Sequence, residues 1–117
     1  ALVFETDNIS GCGIFTLDEN GRPINFIEKP KDDPSNLANG AVFILRQNIF
    51  EILKSDENAE DFSRDILPLI FKKISPFLLE GHHIDIGTPS NLRKAQKIAA
   101  IKIRDNKWKL FLILIIQ

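Results

Sequence analysis

Two short runs, Gly13–Leu17 (GIFTL) and Pro23–Glu28 (PINFIE), lie on either side of Asp18-Glu19-Asn20-Gly21. Those four residues, followed by Arg22 before the second run, are turn chemistry, with Asn-Gly able to adopt positive φ. The second run alternates apolar and polar residues, which predicts a strand with Ile24 and Phe26 on one face. A hairpin of this kind commits the chain to an antiparallel sheet element early. The remainder of the chain cannot be all-β, because the apolar spacing then switches to a helical period. Ile49, Ile52 and Leu53 predict a helix over residues 48–54. Asp61 is a good N-cap for a helix carrying Phe62, Ile66, Leu69 and Ile70, which Pro68 should bend or interrupt. Thr88-Pro89 reads as an N-cap followed by proline at the first helical position, opening a helix to about Ile103. That helix places Leu92, Ala95, Ala99 and Ile103 on one face.

Between and after these helices the strand signals continue. Gly40–Leu45 (GAVFIL) is a continuous apolar run, the pattern of a central strand covered on both faces. Phe77–Leu79 and His83–Ile86 predict two further short strands. Lys29–Asn36 is a polar loop punctuated by Pro30 and Pro34, and residues 55–60 form a polar connector. Strands and helices taking turns in this way predict an α/β fold with a mixed sheet and flanking helices.

Composition narrows the class. Hydrophobic residues make up 44% of the 117 and charged residues 26%, which argues against a disordered chain. One cysteine, Cys12, cannot form an internal disulfide, so a disulfide scaffold is excluded. The longest apolar run, Leu110–Ile116, is far short of the roughly 20 residues needed to span a bilayer. It lacks alternation and turns, and reads equally as an edge strand, a partner-facing strand or sequence foreign to the rest of the fold. The opening residues do not read as a signal peptide, so none is expected there. No methionine occurs anywhere, even at position 1, so the expectation is that the sequence begins inside a larger protein.

The net charge of −1 hides an asymmetry. Residues 93–117 carry seven bases and one acid, giving +6, against −7 for everything before them. The bases are not interleaved with aromatic residues and accompany no nucleic-acid motif, so a solvated outer helix face is the reading adopted. A small module that docks this basic helix on an anionic surface or a partner is the rival reading, and a non-catalytic remnant is another.

Two segments carry candidate chemistry. In Phe26-Ile27-Glu28-Lys29-Pro30 a strand ends by presenting a carboxylate and an ammonium into a loop, at the kind of strand end where α/β sheets collect ligands. Lysine is a compact cation suited to phosphate, and glutamate accepts hydroxyls. In His83-Ile84-Asp85-Ile86-Gly87-Thr88-Pro89, Asp85 sits at a strand end before a glycine turn and a capped helix. Its carboxylate suits Mg²⁺, a hard cation that prefers oxygen, and suits equally a turn that bonds nearby amides. His82 and His83 point to opposite faces of a strand, which speaks against a shared zinc. Gly11-Cys12-Gly13 lacks the completion of a dinucleotide or P-loop fingerprint, and no serine or cysteine sits in a nucleophile motif.

The order G-x-F-x-L-D-E-N-G-R, F-I-E-K-P, S-N-L-A-N-G, D-F-S-R-D-I-L-P and D-I-G-T-P resembles the C-terminal half of the sugar-1-phosphate nucleotidyltransferases, from about Gly11 to Gln96. The flavour is that of guanylyltransferases acting on mannose-type or heptose 1-phosphates. The resemblance implies a partial nucleotide-diphospho-sugar transferase fold, Rossmann-like, with its N-terminal half absent. Residues 1–104 are then the C-terminal half of the domain and 105–117 an apolar tail. It implies a cytoplasmic enzyme that passes a nucleotidyl group, GMP from GTP, to a sugar 1-phosphate and releases pyrophosphate. By the same resemblance Lys29 contacts the phosphate of the sugar 1-phosphate as the catalytic cation. Glu28 holds sugar hydroxyls, Asn39 and the backbone at Gly40 line the sugar pocket, and Asp85 is one of two aspartates holding Mg²⁺. Lys29 and Asp85 are expected to converge on one cleft. Asp61–Pro68 is implied to pack and position, not to react.

Two departures stand out. Ala41 occupies a place the family usually gives to glycine. The family's N-terminal half also supplies a Gly-rich nucleotide loop with an arginine and the other metal aspartate, and neither is present. The expectation is a chain inactive alone, with an exposed sheet edge, that pairs with the missing half or with a second copy. Nucleic acid and a membrane span are not expected.

Overall fold

The computed structural model describes residues 1–55, 58–104 and 113–115. The chain divides into two compact units, residues 1–78 and 79–117.

The first unit is built on five strands. They are β1 (Leu2–Glu5), β2 (Gly13–Leu17), β3 (Pro23–Glu28), β4 (Leu37–Asn39) and β5 (Phe77–Leu78), in the order β3-β2-β4-β1-β5. Three neighbouring pairs are antiparallel, and only β1 with β5 is parallel, so the sheet is mixed as expected. The hairpin forms where the sequence put it. Asp18 Oδ1 accepts the N–H groups of Asn20 at 2.9 Å and Arg22 at 2.8 Å, and Gly21 turns the corner at φ 75°.

Alternation fails at one place in that hairpin. Thr16 pairs with Asn25 and Leu17 with Pro23, which leaves Ile24 as the extra residue of a bulge. Phe26 is buried at 6% exposure while Ile24 is 55% exposed, so the two do not share a buried face. The bulge has shifted the phase by one residue, and Pro23 takes the inward place instead.

One face of the sheet carries the core: Val3, Phe15 and Phe26 from the strands, with Ile49, Ile66, Leu67 and Ile70 from the helical segments. Phe15 is fully buried and meets the Phe26 ring at 4.7 Å between centroids, a tilted contact worth about 0.5–1.5 kcal/mol beyond its buried area. The opposite face buries Leu2, Ile14 and Ala38.

The helical segments of this unit are short. Helix α1 (Ile49–Ser55) matches its sequence pattern, burying Ile49 with Ile52 and Leu53 half-buried. The connector after it contains residues 56 and 57, which lie outside the described residues. Asp61 caps the next segment as expected, accepting the Arg64 N–H at 2.8 Å. That segment is not one α-helix. It runs as a π turn over Phe62–Ile66, then α2 (Leu67–Ile70), then a 3-10 turn over Phe71–Lys73. Pro68 cannot donate a hydrogen bond backward, and the chain meets this by widening the turn before it.

The expected central strand over Gly40–Leu45 is absent. Central position falls instead to β4, three residues earlier, and residues 40–45 are irregular. Ala41 lies at φ 54°, in the left-handed region, which ends the pleat. Ile44 is in consequence 99% exposed and Leu45 45%.

The second unit contains β6 (His83–Asp85), α3 (Pro89–Arg104) and β7 (Ile113–Ile115). β6 and β7 pair in parallel, with Asp85 opposite Ile115, and α3 is the crossover that a parallel pair requires. Thr88 Oγ1 accepts the Asn91 N–H at 3.2 Å and Pro89 opens the helix, as the sequence predicts. Ala95 is buried at 3%, Ala99 is half-buried and Leu92 is 42% exposed. Most of the apolar tail lies outside the described residues, and its segment 113–115 is the strand paired with β6.

Candidate active site

Strands β3 and β4 run in the same direction, because β2 is antiparallel to both. Their C-terminal ends therefore emerge at one edge of the sheet, on either side of the N-terminal end of β2. Glu28 pairs directly with Gly13, and continuing the β2–β4 register from Ile14 opposite Ala38 places Asn39 on Gly13's other side. Glu28, Gly13 and Asn39 thus form one cross-strand row. Paired residues share a sheet face, and Glu28 and Asn39 are two strand spacings apart, about 9.5 Å.

The row continues the core-bearing face, since Phe26 and Phe15 precede it by one pleat on β3 and β2. Gly13 is the gap in it. A Cβ built there falls 2.5 Å from Glu28 Oε2 and 2.6 Å from Cζ of Phe26, so only glycine lets the carboxylate lie across β2. Buried in this position, Glu28 Oε2 is the one buried side-chain polar atom among the described residues with no hydrogen-bond partner. Burial raises the Glu28 pKa above the usual glutamate range; the Lys29 ammonium opposes that shift and the Asp61 carboxylate adds to it.

Both strand exits are bent in the same unusual way. Lys29 at φ 50° and Ala41 at φ 54° are the non-glycine residues with positive φ among the described residues. Lys29 is pinned by its N–H donating to the Cys12 carbonyl at 2.9 Å, and its side chain is exposed. Ala41 is pinned by its N–H donating to Asn39 Oδ1 at 3.0 Å. Left-handed non-glycine residues cost about 1–2 kcal/mol each, and such strain gathers where a site has to be shaped.

The Phe62–Ile66 π turn stands beside this edge. Asn39 Nδ2 donates to Ser63 Oγ at 3.4 Å, and Phe62 packs on Phe43 with centroids 4.9 Å apart. The turn is braced by Asp65, whose Oδ2 accepts the N–H groups of Glu60 and Asp61, and which pairs with Arg64 through Nε at 2.7 Å. The Arg64 guanidinium and the Asp61 backbone N–H hold the Asp65 carboxyl well below the usual range.

The structure therefore brings Glu28, Lys29, Asn39 and Gly40 to one edge of the first unit. Asp85 belongs to the second unit, where it is exposed at the end of β6 and its Oδ1 accepts the Gly87 N–H at 2.7 Å. Among the described residues, no three His, Cys, Asp or Glu side chains gather as a metal site. Sequence reading does not single out Gly13 or Ser63, although it makes Asp61 an N-cap and the resemblance implies a packing and positioning role for Asp61–Pro68. The one signal at Gly13 is a glycine opening a strand run.

Comparison with known proteins gives a consistent picture. Residues 1–101 match the Nucleotidyl transferase family. A glucose-1-phosphate adenylyltransferase of Thermosipho africanus is 32% identical over 114 residues, which covers 87% of this chain and 28% of that protein. One from Bacillus cereus is 30% identical over 118 residues, covering 90% of this chain and 31% of that protein. The chain thus spans less than a third of the length of these curated relatives.

Proposed function

The chain belongs to the nucleotidyl transferase family, and from that premise we propose that its first unit carries the sugar-phosphate side of a sugar-1-phosphate nucleotidyltransferase site. The observation that carries this reading is the Glu28–Gly13–Asn39 row. A half-buried carboxylate has an oxygen with no partner, and a lysine follows it at a strained strand exit. A sugar supplies what that oxygen lacks, a hydroxyl donor, and its phosphate supplies the anion for the Lys29 ammonium. In the reaction a phosphate oxygen of the sugar 1-phosphate attacks the α-phosphorus of a nucleoside triphosphate and pyrophosphate leaves. Lys29 then acts by neutralising and orienting the attacking phosphate.

The rest of the site belongs to the same proposal. Gly40 contributes backbone at the sugar end. The nucleotide loop comes from sequence outside these 117 residues; Asp85, in the second unit, is proposed separately as a carboxylate that Mg²⁺ would take together with one from that outside sequence. The 117-residue chain is then inactive alone and binds sugar 1-phosphates without turning them over. Its relatives' names put glucose 1-phosphate and ATP first among compounds to test. Mannose-type and heptose 1-phosphates with GTP, which the motif order resembles, come second.

Calorimetric titration of the chain with each sugar 1-phosphate tests the half-site. Saturable binding that Lys29→Ala abolishes supports it, and no binding of any of them refutes it. A pyrophosphate-release assay on the isolated chain is the companion test, with turnover overturning the assignment of the nucleotide loop to outside sequence.

A further inference from the structure

We propose that Ser63 is a positioning residue for the sugar end of this site, acting through Asn39; the inference rests on the half-site reading. The Asn39 side chain is used twice within the protein. Its Oδ1 accepts the Ala41 N–H at 3.0 Å, which fixes the amide orientation and turns the NH₂ group toward Ser63. Its Nδ2 then donates to Ser63 Oγ at 3.4 Å across 24 residues of sequence. Asn39 so engaged is a clamp on the left-handed turn at Gly40-Ala41 more than a free sugar ligand.

The other end of the clamp is built to hold still. Ser63 is the second residue of the π turn, and that turn is fixed by two carboxylates. Asp61 accepts from the Arg64 N–H, and Asp65 accepts from the N–H groups of Glu60 and Asp61. Next to Ser63, Phe62 packs its ring at a tilt against Phe43 in the segment following Ala41. The π turn therefore grips the exit of β4 at two points, a polar one at Asn39 and an apolar one at Phe43. The apolar grip fixes where the segment lies. The polar grip fixes how the Asn39 amide, and hence the Gly40-Ala41 backbone, is turned. Ser63 accepts this hydrogen bond through its hydroxyl oxygen, so its part in the site is to hold the Asn39 amide.

The test compares the unaltered chain with Ser63→Ala and Ser63→Thr. Glucose 1-phosphate and mannose 1-phosphate are titrated by calorimetry well below the melting temperature, and the Asn39 side-chain NH₂ is followed by ¹⁵N NMR. Removing one net hydrogen bond should weaken binding about three- to tenfold, and threonine, which keeps the hydroxyl, should restore it. The Asn39 NH₂ signals should move in Ser63→Ala and return in Ser63→Thr, which a merely structural loss of stability would not do. If Ser63→Ala does not fold, the unaltered chain still decides. Asn39 NH₂ protons that exchange with water as fast as those of exposed Asn20 overturn the clamp, and slower exchange supports it. Binding indifferent to Ser63 overturns the inference and leaves the half-site reading intact. No binding of either sugar 1-phosphate by the unaltered chain refutes the reading and takes the inference with it.

Discussion

The exits of β3 and β4 share a backbone shape and differ in everything that holds it. At Lys29 the left-handed turn is pinned by a backbone carbonyl, that of Cys12, and it presents an exposed ammonium. At Ala41 the turn is pinned by a side chain, that of Asn39, and it presents only a methyl group. Strain at Lys29 accompanies a charge that a phosphate can use. Strain at Ala41 accompanies nothing that glycine would not serve equally well. One exit is therefore read as shaped for a chemical group, the other as a backbone requirement met by a poorly suited residue.

Breaking the first exit should have the largest effect. In a protein that contains this chain and turns over, Lys29→Ala is expected to lower kcat/KM for the sugar 1-phosphate by about 2–4 kcal/mol, the scale for one preorganised charged contact. Lys29→Gly should lose as much activity yet be more stable than Lys29→Ala by about 1 kcal/mol, because it removes the left-handed strain as well. Steady-state kinetics and denaturant midpoints on the two variants check this together. Equal stability would mean that Lys29 is not strained, and unchanged kcat/KM would remove it from the site.

Between the exits lies Gly13, and filling it should come next in size. The Cβ in Gly13→Ala meets both Glu28 Oε2 and the Phe26 ring at less than the 3.0 Å that real Cβ atoms keep. The ring belongs to the core and cannot swing clear, so a loss of about 1–3 kcal/mol in unfolding free energy is expected, the range for overpacking. A neutral substitution would show that the Glu28 side chain does not lie across β2.

The second exit should respond in the opposite sense. Ala41→Gly removes the left-handed penalty and adds the chain entropy of glycine, for a net gain of about 0.5–1 kcal/mol. In a domain of this size that raises Tm by roughly 2–6 °C. A fall in Tm would sink the contrast between the two exits.

The same contrast explains what the sequence could reveal. The hairpin was legible because turn residues and strand length agree over Gly13–Glu28. The Asp61 and Thr88 caps were legible because capping is chemistry local to four residues. Gly40–Leu45 misled because composition reports what a segment would bury, whereas the turn at Ala41 is held by the Asn39 side chain and by two backbone bonds with Leu2 of β1, whose carbonyl accepts the Gly40 N–H and whose N–H donates to the Val42 carbonyl. Ile24 misled because a bulge shifts phase without altering the residues. Of the site, Glu28 and Lys29 were legible from one motif. Ser63 was not, since its partner is 24 residues away and nothing in Phe-Ser-Arg-Asp announces a π turn.

The smallest expected effect concerns the row itself and separates its use from its stability. Burial raises the pKa of Glu28 in the folded protein, so the folded state binds that proton more tightly than the unfolded chain does. Stability contributed by the protonated form is present at acid pH and is lost as pH rises from the ordinary glutamate range through the folded value. Glu28→Gln cannot ionise and should escape that loss. The variant is therefore expected to melt slightly higher than the unaltered chain at neutral pH, with the difference closing as pH falls toward the ordinary glutamate range. Because the Glu28 side chain is only partly withdrawn from water, solvent screening keeps the difference small. Sugar 1-phosphate affinity should fall in the same variant, since an amide oxygen accepts a hydroxyl proton more weakly than a carboxylate does. Melting curves across the acid-to-neutral range and a titration at neutral pH measure both. A Gln variant that melts lower at neutral pH, or binds as tightly as Glu28, would mean that the unpartnered oxygen is not kept for a ligand.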